Sequence, residues 1–198
     1  QTEGGKRIST GKKLAQTAQM LAERPFHGRT EDQPSNLLPI VRLFPKWNLE
    51  QAERMWCAAF VYYCCIQAGF SIPYSPQECR SCSLAGCGGW EEFAQGDKRI
   101  AYYDGQQAIR DADFVWQEGD ILLYDRVFIN REHDHIGILL KLRKKSWWLP
   151  KETSGTPTAP VLCAGRRMSI SERLFVFPMA LSMNRNWQKE EERMVKSD

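Results

Sequence analysis

The segment Glu53 to Gly69, ERMWCAAFVYYCCIQAG, places Cys57 directly behind a tryptophan and at the head of an apolar run of helical length. A thiol becomes a nucleophile when it loses its proton, and a helix N-terminus favours that loss through its partial positive charge and unpaired N–H groups. Asn48 with Gln51 has the spacing of a capping box, and Gly69 marks the end of the apolar pattern. Two arrangements fit. One is a single helix from Asn48 to Ala68 with Cys57 in its middle. The other is a short turn followed by a helix that begins at Trp56-Cys57. Only the second gives the thiol the helix-end field, and periodicity leaves both open.

A chain of 198 residues, 42% hydrophobic and 11% aromatic, has enough apolar surface to offset chain entropy and enough length for one domain with a sizeable core. One compact domain is expected, with residues 1–47 as an N-terminal helix and packed loop and 48–180 as the main body. Within that body 71–118 reads as an insertion, and 181–198 as a charged tail. The net charge is +3 with a pI near 8.5, and the charges are interspersed apart from Arg143-Lys144-Lys145. That run reads as a solvated turn, not as a nucleic-acid footprint. No stretch approaches the roughly eighteen apolar residues of a membrane span, and no hydrophobic signal region opens the chain, which starts at Gln1 rather than Met. A monomer without a membrane span is expected. Seven cysteines leave an odd thiol if the others pair, or a fully reduced set.

Residues Ser9 to Glu23 predict an amphipathic helix with Leu14, Ala15, Ala18, Leu21 and Ala22 on one face. Pro25 to Pro45 predicts an irregular segment that packs down through paired apolar residues. Between Ser71 and Glu118 the pattern is faint. Gly86 to Gly89 reads as a break in regular structure, and Gly105 to Asp113 as a short helix. Strands are then predicted over Asp120–Asp125, His135–Leu142, Trp147–Glu152, Val161–Met168 and Arg173–Met179. Helices first and strands later predict an α+β fold with an antiparallel sheet of about five strands.

Three histidines limit the choice of a base for Cys57. His27 lies in a loop beside Gly28, His133 in a charged run, and His135 at the start of an apolar strand, which makes His135 the best placed. A lone histidine is more often structural. That bland reading loses ground because a thiol, a strand-start histidine and a downstream carboxylate occur in a workable order. If a hairpin turns at Arg143 to Ser146, His135 faces Glu152 with Cβ atoms roughly 5 Å apart. A carboxylate there could hold the imidazole in the tautomer that Cys-His-acid catalysis needs. Pro150 within the strand would make it an edge or alter the register. Asp134 is set aside as the acid because strand neighbours point to opposite faces.

Trp56-Cys57-Ala58-Ala59-Phe60-Val61, Gly119-Asp120-Ile121-Leu122-Leu123-Tyr124-Asp125 and Asp134-His135-Ile136-Gly137-Ile138-Leu139, in that order, resemble the CHAP and NlpC-type superfamily of bacterial cysteine peptidases and amidases. The resemblance covers residues 48 to 180 and implies a papain-like α+β core. It further implies Cys57 as nucleophile, His135 as base, and a third polar residue from the next strand, for which Glu152 is the candidate. No tyrosine upstream of Cys57 matches the oxyanion hole of some members. The Cys57 backbone N–H and Gln51 remain as candidates for that role. The substrate so implied is an amide of cell-wall peptidoglycan or a peptide, cleaved outside the cytoplasm, in the cell envelope or after secretion. Two alternatives stand beside hydrolysis: acyl or peptidyl transfer on the same fold, and a non-catalytic binding module.

Cys79, Cys82 and Cys87 could hold a structural zinc, with Cys163 as a candidate fourth ligand, since one CxxC with further thiols suits a tetrahedral site. Disulfides or reduced thiols in a loop are the competing expectation, and no other cofactor is implied. Cys64 and Cys65 lie inside the apolar run and predict small core residues, not rival nucleophiles. Trp147-Trp148 predicts sheet packing, one ring on each face.

Overall fold

A computed structural model describes residues 10–23, 26–52, 55–105, 108, 111, 113–125 and 132–140, together with the backbone of three later strands. The first helix, α1 (Thr10–Ala22), buries Leu14, Ala15 and Ala18, the face expected from their spacing. The segment after it is largely irregular but holds one short helix, α2 (Leu38–Val41), with a proline in its first turn where a missing N–H is harmless. Leu37, Ile40, Val41 and Phe44 anchor this segment in the core.

The chain chooses the second of the two arrangements around Cys57. Helix α3 (Leu49–Ala52) is a single turn, started by a reciprocal box in which the Gln51 N–H donates to Asn48 Oδ1 at 2.9 Å and the Asn48 N–H to Gln51 Oε1 at 3.2 Å. Helix α4 then runs from Cys57 to Gln67, with Trp56 at φ −122° outside its first turn. Nearly every side chain of α4 is apolar and seven are buried, so this helix is the centre of the core. Gly69, at φ 87°, closes it by letting the Phe70 N–H reach Cys65 O at 3.0 Å and its own N–H reach Ile66 O at 2.9 Å.

Helix α5 (Cys87–Gly96) runs straight through Gly88 and Gly89, where the sequence predicts a break. The reason is packing. A Cβ on Gly89 would stand 2.6 Å from Cys82 O and would also strike Ser83 O, so the preceding loop lies directly on the first turn of α5. Glu92 fastens that loop by accepting the Arg80 N–H at 2.6 Å and the Ser81 N–H at 2.9 Å. Of the expected helix 105–113, most residues lie outside those described, but Ala108 is buried in a second, smaller apolar cluster.

The sheet is six-stranded and antiparallel: β1 (Tyr103–Asp104), β2 (Ile121–Tyr124), β3 (His135–Ile138), β4 (Val161–Cys163), β5 (Arg166–Met168) and β6 (Leu174–Phe177), in the order β1-β6-β2-β3-β4-β5. The fold is therefore α+β, helices preceding most of an antiparallel sheet. The expected strand Val161–Met168 is two strands paired with each other, Val161 opposite Met168. The expected strand Trp147–Glu152, including Trp148, lies outside the described residues, as does the tail from 178 on. The hairpin expected between it and β3 is not the pairing found: Ile138 of β3 is opposite Leu162 of β4.

Central strands β2 and β3 divide the apolar residues by face. Ile121, Leu123, Ile136 and Ile138 join the main core with α4, whereas Leu122, Tyr124 and Leu139 meet Ala108, Phe114 and Trp116 on the other side. The main core runs from Leu14 to Leu140 and takes in Ile72, Leu84, Trp90 and Phe93, so α1 and the 71–118 segment share it. Among the described residues no helix is long and apolar enough to cross a membrane.

Candidate active site

Two thiols and an imidazole meet where α4, α5 and β3 begin. Cys57 is the first residue of α4 and Cys87 the first of α5, and their sulfurs are 3.9 Å apart. Trp90 links the segments that carry the two thiols. Its buried indole N–H lies 3.2 Å from Ala58 O and 3.0 Å from Leu84 O, so one donor ties the start of α4 to the loop that leads into α5.

Cys57 is held well below the ordinary thiol range. The hydrogen bond from Cys87 is the largest cause; burial opposes it, and the hydrogen bond and charge of His135 and the Ala58 N–H add to the lowering. The thiolate is thus surrounded by donors. Cys87 moves the opposite way: the bond it donates to Cys57 keeps its proton on, and burial and the neighbouring charges of Cys57, Cys82 and Asp134 reinforce that. Of the two thiols, Cys57 is the one that gives up its proton more readily and Cys87 the donor beside it.

His135 opens β3 and is buried. It is directly opposite Tyr124 in the β2–β3 ladder, and the two rings lie with centroids 6.0 Å apart at 33°. From this position the imidazole reaches the Cys57 thiol. The thiol and base expected from the sequence are therefore brought together. Glu152, the expected orienting acid, lies outside the described residues. Asp134 lies next to β3 and is close enough to influence Cys87.

A polar bridge supports the strand start. The His133 backbone, at φ 52°, donates its N–H to Asp125 Oδ1 at 2.7 Å, and its ring lies 2.6 Å from Glu91 Oε2 and 3.2 Å from Asp125 Oδ1. Glu91 also accepts the Tyr102 hydroxyl at 2.8 Å. Helix α5, the end of β2 and the entry to β3 are joined through this one imidazole. The Gly119-Asp120 motif is structural too. Asp120 Oδ2 accepts the Gln117 N–H at 2.8 Å, its carbonyl accepts the Leu139 N–H at 2.8 Å, and burial pushes its carboxyl up to about 6.

Gln51 is spent differently from the oxyanion role expected for it. Its residue is exposed and its Oε1 faces the Asn48 N–H, so its work is the start of α3. The expected zinc ligands also separate. The Cys79 thiol donates to Gly89 O at 3.2 Å, Cys82 Sγ accepts the Gly89 N–H at 3.2 Å, and Cys87 turns to Cys57. Among the described residues no group of three or more His, Cys, Asp or Glu side chains is arranged to hold a metal ion. No disulfide involves Cys57, Cys64, Cys65, Cys79, Cys82 or Cys87. Cys64 and Cys65 are buried in α4, where burial drives the Cys65 pKa upward.

Sequence reasoning missed three contributors: Cys87 beside Cys57, Tyr124 against His135, and the Glu91–His133–Asp125 bridge. A helix beginning at Cys87 was the available signal for the first, hidden by the glycines that follow it. Set against protein-family models, curated proteins and solved structures, the chain matches none of them.

Proposed function

We propose that the protein is a cysteine hydrolase of amide bonds with a papain-like arrangement, acting on bacterial cell-wall peptidoglycan in the envelope or outside the cell. The observation that carries the chemistry is the activated Cys57 thiol at a helix start in hydrogen-bond reach of His135. The cell-wall substrate and its location rest on the motif resemblance alone. The Cys57 thiolate attacks the amide carbonyl carbon. The C–N bond breaks as His135 gives a proton to the leaving amine, and an acyl-thioester remains. Water then attacks the thioester, losing its proton to His135, and releases the acid with the thiol regenerated. The backbone N–H of Cys57, among the first of α4 and without an intrahelical partner, is the donor for the developing oxyanion.

Digestion of purified peptidoglycan, with fragments identified by mass, tests this reading. Wild-type protein should release new amine and carboxyl termini, and Cys57→Ala and His135→Ala should lose most of that release. Full hydrolysis by Cys57→Ala would sink the proposal. Cell-wall binding without new termini would favour a binding module instead.

A further inference from the structure

We propose that Cys87 is a resolving thiol for Cys57, so that a peroxide closes a Cys57–Cys87 disulfide that reversibly takes the nucleophile out of use. The two sulfurs already face each other at 3.9 Å, and forming the bond brings them to about 2.05 Å, a shift of side-chain size. Both residues are only partly covered, so a small oxidant can reach them. Of the other described thiols, Cys82 is exposed but hydrogen-bonded, Cys79 is half-buried and hydrogen-bonded, and two are enclosed. Cys79 and Cys82 are bound to the backbone of Gly89, and Cys64 and Cys65 are buried in α4.

The step balances without a bound cofactor. The Cys57 thiolate attacks one peroxide oxygen, the O–O bond breaks, and a sulfenic acid forms with release of hydroxide. The Cys87 sulfur then attacks the Cys57 sulfur and the S–O bond breaks. The departing hydroxyl leaves as water with the Cys87 proton, and peroxide has been reduced by two electrons. The first step also prepares the second. The Cys57 thiolate is the main reason Cys87 keeps its proton, and conversion to a neutral sulfenic acid removes that restraint.

Glycine packing gives the pair a fixed partner geometry. Loop 79–83 lies against Gly89 and is clamped by Glu92, so Cys87 enters α5 from a held position. Loss of hydrolysis on oxidation rests on the proposed hydrolase reading, whereas the disulfide itself does not, and mass analysis reads it alone.

The test treats the full chain with hydrogen peroxide, traps free thiols with iodoacetamide and maps peptides without reduction. The expected product is a Cys57–Cys87 linked pair, with Cys57 alkylation reduced roughly tenfold or more and restored by dithiothreitol. Cys82→Ser should keep the link. Cys87→Ser should instead carry Cys57 on to sulfinic and sulfonic acids that dithiothreitol does not reverse. A wild-type protein that over-oxidises Cys57 without forming the link, or that links Cys57 to another cysteine, overturns the proposal. If the link forms but the reduced protein cleaves no cell-wall amide, the redox inference stands and the hydrolase reading falls.

Discussion

Tyr124 and His135 are opposed across β2 and β3, and the fully buried tyrosine ring lies 6.0 Å from the imidazole. The ring acts as a wall that fixes where the imidazole can stand relative to Cys57. Tyr124→Phe keeps that wall and should leave the Cys57 alkylation profile close to wild type. Tyr124→Leu removes it, and the pH midpoint of alkylation should rise while the fold loses about 1–3 kcal/mol. An unchanged midpoint in the leucine variant would assign the ring to packing alone.

Cys57 should react with iodoacetamide at pH values well below the range of an ordinary thiol, whose pKa is about 8.5. The supports that lower its pKa are the Cys87 thiol first and then His135. Removing either makes the proton harder to lose, so Cys87→Ala and His135→Ala should both move the labelling midpoint upward. The larger move is expected for Cys87→Ala. Labelling of wild type with an ordinary thiol midpoint would contradict the site as described.

Asp120 gives a pH dependence of known sign. Its folded carboxyl is pushed up to about 6 by burial, so the folded chain holds its proton more firmly than the unfolded chain. Stability from this group is therefore greatest at low pH and falls as pH rises from the unfolded value of about 3.9 through 6. Asp120→Asn keeps an acceptor for the Gln117 N–H and cannot ionise. Urea unfolding at about pH 3 and pH 8 should show the variant gaining about 1–3 kcal/mol relative to wild type at the higher pH, with about half of that gain already present near pH 5.

Gly88 and Gly89 are neighbours in α5 with opposite expected responses. A Cβ at Gly88 meets nothing closer than Ser81 Oγ at 3.4 Å, so Gly88→Ala should be tolerated or should stabilise by about 0.5–1 kcal/mol through helix propensity. A Cβ at Gly89 would press on the backbone of Cys82 and Ser83, and Gly89→Ala should cost about 1–3 kcal/mol. Denaturant midpoints of the two variants decide it; equal effects would mean the loop yields freely.

The thiol–histidine half of the site was legible because it lies in short, ordered signals: a cysteine heading an apolar run and a histidine heading an alternating strand. The face of α1, the strand pattern of β2 and β3 and the stop at Gly69 were legible for the same reason. What could not be read depends on contacts distant in the chain. A glycine pair normally signals a break, and only the loop packed on Gly89 turns it into a helix interior. Cys87 shares a CxxC neighbourhood that suggests a metal, whereas contacts distant in the chain, the Trp90 indole on Ala58 O and Leu84 O among them, hold the start of α5 beside Cys57. The strand expected over Val161–Met168 has apolar residues on both sides of Gly165, and no local signal shows that its two halves pair with each other. Likewise the partner of β3 is set by sheet order, which places β4 at Ile138.

The indole of Trp90, 2% exposed, joins Ala58 and Leu84 beneath the two sulfurs. The separation of the thiols is consequently tied to the protein interior as well as to the loop that leads into α5. Over evolutionary time, exposed segments around the two helix starts can diversify while the reactivity of Cys57 holds steady. A substitution under the helices would change both foldedness and thiol chemistry at once, so selection on either one polices the other.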